Sequence, residues 1–444
     1  MRRGRVGRAA GRVLAAAALA ALVLVAGAGP AAAADAQVVT ARIRATGDVE
    51  QADLERYVAL AEAAFPAWKA YFGAEPRKAD LPLTLDVRRD RDGFLAALSR
   101  AHVGPQAVAS AGGYYDPGSK CSYLFLQPHD ASTRLLVLHE LTHQWQAKAQ
   151  LGNDLTRAPT WHKEGIAEWF GHHRRTAAGV DLGALDVVTI DERPLECADR
   201  VRRGVFDPWA VGSGAVAAPD YVDSLALVGT LLRTKDAGLR EALRRFEGEL
   251  DHGGDAGRKF ERAFSGKKDR LAAAAREVWG DFRRTWKIVY IAWDEEAGTI
   301  VARGRPWAFL RGTADLPRGE PAIEARVALV GPQAASAGLA IGSKGPEDLI
   351  GLELRADGKV VLRRKVRNTW FDLGVATRPA GPSRDPVKLR LALVGMTLRV
   401  EVDGVPAITV DAGPAGLSAT DFDGTAALYA EGGEARFSDV RTGR

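Results

Sequence analysis

Apolar residues recur along the chain with two periods, and the change from one to the other divides it. Over 46–73, Leu54, Tyr57, Val58, Ala61, Phe65, Trp68 and Phe72 return every three or four positions. That spacing places them on one helical face, and Gly73 closes the run. "LPLTLDVRR" switches to period two, with Leu83, Leu85 and Val87 on one side, and predicts a strand. "DGFLAALSRA" predicts a short helix, and "GGYYDPGSKCSYLFLQ" a hairpin turning at Asp116-Pro117-Gly118. Asp130, Ser132 and Thr133 are cap formers that open the next helix. A further helix is expected over 160–175, starting at Thr160 after Pro159, and a Gly- and Ala-rich loop over about 200–215. Helices with apolar faces then fill 219–290, in "YVDSLALVGTLLR", "LREALRRFEGEL" and "DRLAAAAREVWGDFRRTW".

Beyond residue 300 period two takes over. "IGLELRADGKVVLRRKV" is two alternating runs around Asp357-Gly358, and "VKLRLALVGMTLRVEVDGVPAITV" repeats the pattern around Asp403-Gly404. An X-D-G step between alternating runs is a strong hairpin signal. Short strands at regular intervals predict an all-β sandwich over 300–444, behind a mixed helix-and-strand domain over 46–290. A length of 444 residues agrees with more than one core.

The first 34 residues read as a Sec-type export signal. Arg2, Arg3, Arg5, Arg8 and Arg12 precede an apolar run from Val13 to about Gly27, and Pro30 with Ala31 to Ala34 suits a signal peptidase. The run is short for a membrane span, an uncleaved anchor being the alternative. The expected destination is the periplasm or the extracellular space. The segment also accounts for the charge: without its five arginines, 56 Lys+Arg stand against 56 Asp+Glu. A near-neutral mature chain gives no reason to expect nucleic acid or an anionic membrane as partner. Cys121 and Cys197 belong to no C-x-x-C pair, which excludes a cysteine zinc knuckle. One disulfide and two buried thiols remain open.

The candidate chemistry lies in "LLVLHELTHQWQ", from Leu135 to Gln146. His139 and His143 are four apart, so on a helix they project from one face, one turn apart. Two imidazoles so placed can hold one Zn²⁺, with Glu140 beside them as general base. A catalytic zinc needs a third protein ligand. Gln146 and Ala149 stand where the metzincin pattern has glycine and histidine, which excludes that subclass. Glu164, in "TWHKEGIAEWF", follows His143 by 21 residues, room for one loop and a returning helix. Glu168 is one turn further on and is expected to orient a ligand histidine. His162 falls on a different helical face, and His172 and His173 are expected to face solvent.

"HELTH" followed by "WHKEGIAE" resembles the gluzincins, the thermolysin and aminopeptidase clan, and within it secreted, peptidase-MA-like bacterial proteins. The likeness covers roughly 46–290. It implies a zincin-like α+β fold and one zinc per chain held by His139, His143 and Glu164. It also implies Glu140 as the base that activates water, and Glu168 as the acid behind a ligand. The clan takes a transition-state donor from the later helices, which implies Tyr221 as a second catalytic residue, with His252 as the alternative. The strand before the metal helix implies a substrate-binding edge at Gly112, Gly113 and Tyr114, the alternative being a plain hairpin strand. The implied activity is peptide-bond hydrolysis on a peptide or protein substrate. The glycine-rich motif of the aminopeptidases is not evident, which favours an endopeptidase. The alternative is a non-enzymatic binding or scaffold protein on the same fold. The sandwich resembles concanavalin-like, laminin-G-like domains, in "VKLRLALVGMTLRVEVDGVPAITV" and "ALYAEGGEARFSDVR", which implies a glycan as a further partner. Trp370, Phe371 and Tyr429 are the aromatics that could stack on a sugar. No carboxylate pair of glycosidase type is found in 300–444.

Overall fold

A computed structural model describes residues 35–443, apart from 105–107, 109–110, 177–178, 186–190, 217–218, 283–285, 291–292, 297–298, 318–319, 331–335, 368 and 379–384. The export segment expected over 1–34 lies outside the described residues.

The chain opens with a five-stranded mixed sheet. Its strands are β1 (Ala36–Val39), β2 (Ile43–Gly47), β3 (Leu83–Arg88), β4 (Gly113–Asp116) and β5 (Cys121–Phe125), in the order β1-β2-β3-β5-β4. β2, β3 and β5 are parallel; β4 runs antiparallel to β5 along an edge. The alternation of β3 buries Leu83, Leu85 and Val87 as expected. The helix expected over 46–73 is shorter: Ile43, Ala45 and Gly47 turn inward as strand β2, and α1 begins only at Gln51, running to Phe72. Gly73 closes it in the left-handed conformation.

Helix α2 (Arg91–Arg100) is capped by Asp90, whose carboxylate accepts from the Gly93 N–H. Helix α3 (Asp130–Trp145) carries the two histidines and continues into a π-helical turn, Gln146–Gln150. Its expected caps do other work. His129 is the cap residue, Asp130 accepts from the Tyr57 hydroxyl and pairs with Arg56, and the Thr133 hydroxyl accepts from the Gln127 N–H. Helix α4 (Thr160–Gly171) stops short of residue 175, because the chain turns into an antiparallel hairpin, His173–Thr176 with Gly179–Leu182.

The loop expected near 200–215 is mostly helical, as α5 (Arg193–Arg202) and α6 (Pro208–Ser213). Asp207 explains α6: its carboxylate accepts from two N–H groups of the first turn, and Pro208 follows directly. Helices α7 (Tyr221–Arg233), α8 (Ala237–Leu250), α9 (Ala256–Ala263) and α10 (Lys268–Trp279) complete the unit. α7, α8 and α9 are each capped by an aspartate, at 220, 236 and 255. The last expected helix ends at Trp279, and Trp286–Tyr290 is already a strand.

The remainder is a large antiparallel β-sandwich, whose first strands precede residue 300. Its core is mainly aliphatic, around Leu310, Leu339, Leu352, Leu391 and Leu428, with Phe437 among them. The long strand Thr425–Gly443 pairs with Thr299–Asp315, Ala322–Val330 and Ser336–Gly345, and so ties the sandwich together. Both expected D-G hairpins form, Asp348–Arg355 with Lys359–Val366 and Thr397–Val402 with Val405–Asp411. At the second, Asp403 (φ 52°) and Gly404 (φ 83°) are both left-handed, the turn whose twist matches paired strands. The His173–Thr176 strand meets Trp293–Glu296 in parallel through Arg175 and Glu296, a short bridge between the two parts. Cys121 and Cys197 are buried free thiols. Among the described residues, no helix is long and apolar enough to cross a membrane.

Candidate metal centre

Helix α3 is fixed in rotation by polar contacts on its buried side. The Trp68 indole donates to the Thr142 hydroxyl at 2.9 Å. The Gln144 side chain accepts from Thr84 N–H and donates to Thr84 O and to the Ser122 hydroxyl. Ser122 in turn donates to the carbonyl of Glu140 at 3.0 Å. Val137, Leu138, Leu141 and Trp145 fill the core beneath. What remains of the helix surface presents His139, Glu140 and His143.

The two imidazoles stand nearly perpendicular, at 85°, with their Nε2 atoms 3.2 Å apart. Glu164 arrives on α4, with Oε2 3.5 Å from His139 Nε2 and 3.4 Å from His143 Nε2. These three atoms make an almost equilateral triangle. A tetrahedral zinc with bonds of about 2.0–2.1 Å holds its ligand atoms about 3.3–3.4 Å apart, so the residues fit the ion. The tautomers agree. His143 Nδ1 faces the Gln146 amide oxygen at 3.1 Å, and His139 Nδ1 stands 3.1 Å from Glu168 Oε1. Acceptors at both Nδ1 atoms leave both Nε2 lone pairs directed at one point.

The electrostatics ask for a cation at that point. Burial disfavours a charged His139, but the Glu164 and Glu168 carboxylates outweigh it and lift the imidazole to about 10. Glu164 is buried too, yet the two imidazoles hold its carboxyl well below the usual range. Glu140 is pushed up by burial, partly offset by the neighbouring histidines.

Gly113 opens β4 at the sheet edge, with Gly112 just before it and Tyr114 just after. A side chain of the metal-bearing helix stands close to each glycine. A Cβ on Gly113 would lie 2.7 Å from Glu140 Oε1, and one on Gly112 would lie 2.9 Å from Leu136 Cδ1. Tyr221 is the first residue of α7, 47 % exposed, its ring 6.0 Å from that of His139. Burial and the nearby carboxylates, Glu164 foremost, raise its phenol, so it keeps its proton as a donor.

The other histidines divide. His162 is buried away from the triangle, with Nε2 3.0 Å from Glu247 Oε1. His252 is exposed in the turn after α8. His172, expected in solvent, is buried: Nδ1 donates to the Glu168 carbonyl and Nε2 lies 3.0 Å from Asp191 Oδ2. His173 is half-buried and donates to the Gly171 carbonyl. Gln146, His172, Asp191 and Arg193 are the site residues that sequence reasoning missed. Gln146 had a usable signal, one helical turn beyond His143; Asp191 and Arg193 had none, being distant along the chain.

A cavity of about 460 Å³ opens over the centre. Ala111, Leu135 and Leu136 give it apolar walls; Glu140, Arg193 and Tyr221 give it polar ones.

No family model matches the chain, and no curated protein matches it. Among solved structures it is similar to the carbohydrate-binding module CBM66 from Bacillus subtilis, at 13 % identity and TM-score 0.32, over 36 % of this chain and 94 % of that one. It is similar to sheep galectin-11, at 15 % identity and TM-score 0.24, over 30 % and 95 %. A third is a Bacillus subtilis protein of unknown function with a galectin-like fold, at 11 % identity and TM-score 0.30, over 35 % and 88 %. These are β-sandwich proteins, and their likeness is to the C-terminal part.

Proposed function

We propose that the protein is an exported zinc-dependent peptidase, one ion per chain, that cuts within peptide chains. The observation that carries this reading is the triangle of His139 Nε2, His143 Nε2 and Glu164 Oε2 with the Glu140 carboxylate beside it. Zinc, when bound, supplies a Lewis acid that polarises a carbonyl and acidifies water. Glu140 takes the proton of the attacking water and hands it to the leaving amine. Tyr221, protonated at the cavity, donates to the carbonyl oxygen as charge develops there. The edge strand β4 offers backbone groups to an extended peptide. An endopeptidase is favoured by the cavity's charges: besides Glu140, its carboxylates are Glu168 and Asp191, and Arg193 engages both. Among the described lining residues, no carboxylate other than Glu140 is left without an arginine partner to pair with a free N-terminus.

The sandwich serves in this reading as an accessory domain with a glycan partner. Of its three candidate aromatics, Phe371 is exposed, Trp370 is half-buried beneath Arg363, and Tyr429 is buried. A sugar would therefore stack on Phe371 first.

The test uses chain from residue 35 onward with a mixed peptide library read by mass spectrometry. Wild type is expected to cleave. Glu140→Ala should lose about 10²–10⁴-fold in rate while keeping one zinc. Zinc bound by both with cleavage by neither would instead support a non-enzymatic binding protein.

A further inference from the structure

Behind His139, the Glu168 carboxylate is held in a closed ring of polar side chains. Arg193 Nη1 donates to Glu168 Oε1 at 2.5 Å, the same oxygen that stands 3.1 Å from His139 Nδ1. Arg193 Nε donates to Asp191 Oδ1 at 2.9 Å and reaches Oδ2 at 3.0 Å. Asp191 Oδ2 lies 3.0 Å from His172 Nε2, and His172 Nδ1 donates at 2.8 Å to the backbone carbonyl of Glu168. The ring thus starts and ends on one residue. It joins the C-terminal end of α4 to the first residue of α5. Glu168 and His172 are buried, at 1 % and 2 % exposure.

Glu168, His172 and Asp191 lie close enough together to hold a cation of their own. Arg193 argues against a second ion, because its guanidinium already pairs with both carboxylates and brings a positive charge to the place a cation would take. Its planar fork also does what a point charge cannot, fixing two carboxylates in angle as well as distance. A glutamate left alone here would have several rotamers, and only some of them would meet His139 Nδ1.

Resting on the metal-site reading above, we infer that Arg193, Asp191 and His172 are positioning residues for the metal centre. They hold Glu168 Oε1 against His139 Nδ1, and so set the tautomer of His139 and the angle at which it offers Nε2. None of the three touches the ion's position. From Arg193 the effect reaches it through two intervening side chains, Glu168 and His139.

The experiment measures zinc affinity by chelator competition, and the visible absorption of the cobalt-substituted protein as a report on ligand geometry. Asp191→Asn and Arg193→Gln are compared with wild type, with Arg193→Lys, and with Asp421→Asn in the sandwich. Losing an outer partner of a metal ligand typically weakens binding about 10–100-fold, which is expected for Asp191→Asn and Arg193→Gln together with a shifted cobalt band. Arg193→Lys keeps the charge and loses the fork, so it should fall between wild type and Arg193→Gln. Asp421→Asn should match wild type, separating a local effect from general destabilisation. Affinities and bands within twofold of wild type for Asp191→Asn and Arg193→Gln overturn the inference. If those two do not fold, Arg193→Lys decides, and wild-type affinity in that variant overturns it equally. Wild type that binds no zinc is a different result: it removes the metal-site reading itself.

Discussion

At Gly113 a missing side chain makes room for the Glu140 carboxylate. A Cβ there would stand 2.7 Å from Glu140 Oε1, closer than van der Waals contact allows. Gly113→Ala should therefore displace Glu140 and leave the ligand triangle intact. The expected result is a fall in kcat of at least tenfold with zinc content unchanged, measured by turnover and metal analysis on one sample. Asp421 shows the same economy in the sandwich. Burial opposes its charge, but the Ser418 N–H and hydroxyl and the Arg364 guanidinium outweigh it and hold the carboxyl below its ordinary value. A depressed carboxylate stabilises the fold above its unfolded pKa of about 3.9, and the contribution fades as pH falls through the folded value. Asp421→Asn should cost about 1–2 kcal/mol at pH 7, and the gap to wild type should close on acidification below about pH 4. Denaturant titrations at both pH values check this. At this scale the sequence was most informative where chemistry is local. His139 with Glu140 and His143 lie one turn apart on a single helix, and Glu164 with Glu168 one turn apart on another. Arg193 and Asp191 meet Glu168 only because α5 folds back, and no spacing rule reaches across that gap.

Two helices pack closely where Glu164 is brought to the histidine pair. Gly165, next to Glu164, lies where α4 crosses α7, and a Cβ there would come within 2.4 Å of the Ser224 carbonyl and 2.6 Å of Val228 Cγ2. Backbone cannot step aside as a flexible side chain can. Gly165→Ala should force the helices apart, destabilising by about 1–3 kcal/mol, and should weaken zinc binding because Glu164 moves with α4. Melting temperature and chelator competition would both register it; an unchanged melting temperature would show that the crossing is looser than described. The elements themselves were legible where pattern and punctuation agreed, as in the two D-G hairpins and in β3. Strand β2 escaped because, after Ile43, its inward positions are Ala45 and Gly47, too small to give an alternating signal. Helix α6 escaped because its Gly- and Ala-rich composition reads as a loop, while its stability comes from the Asp207 cap and from packing.

The whole molecule has two main cores, one under the helices and one within the sandwich. The proposed metal centre belongs to the first. An ion that binds only the folded state stabilises it by an amount set by its excess over Kd, about 4 kcal/mol at a thousandfold excess. Chelation should therefore lower the melting temperature of the helical part and leave the sandwich transition in place, a split that calorimetry with and without chelator can resolve. The division into two units was readable from the change of period near residue 300, though the strand Trp286–Tyr290 pairs with the sandwich ahead of that point. Trp145 follows His143 by two positions and Trp161 precedes Glu164 by three, and both indoles are sealed in the core. His143 and Glu164 thus each have a fluorophore within three positions in the chain, shielded from solvent quenchers. The colour and brightness of the protein's own ultraviolet emission should register which ion fills the centre, with no dye attached.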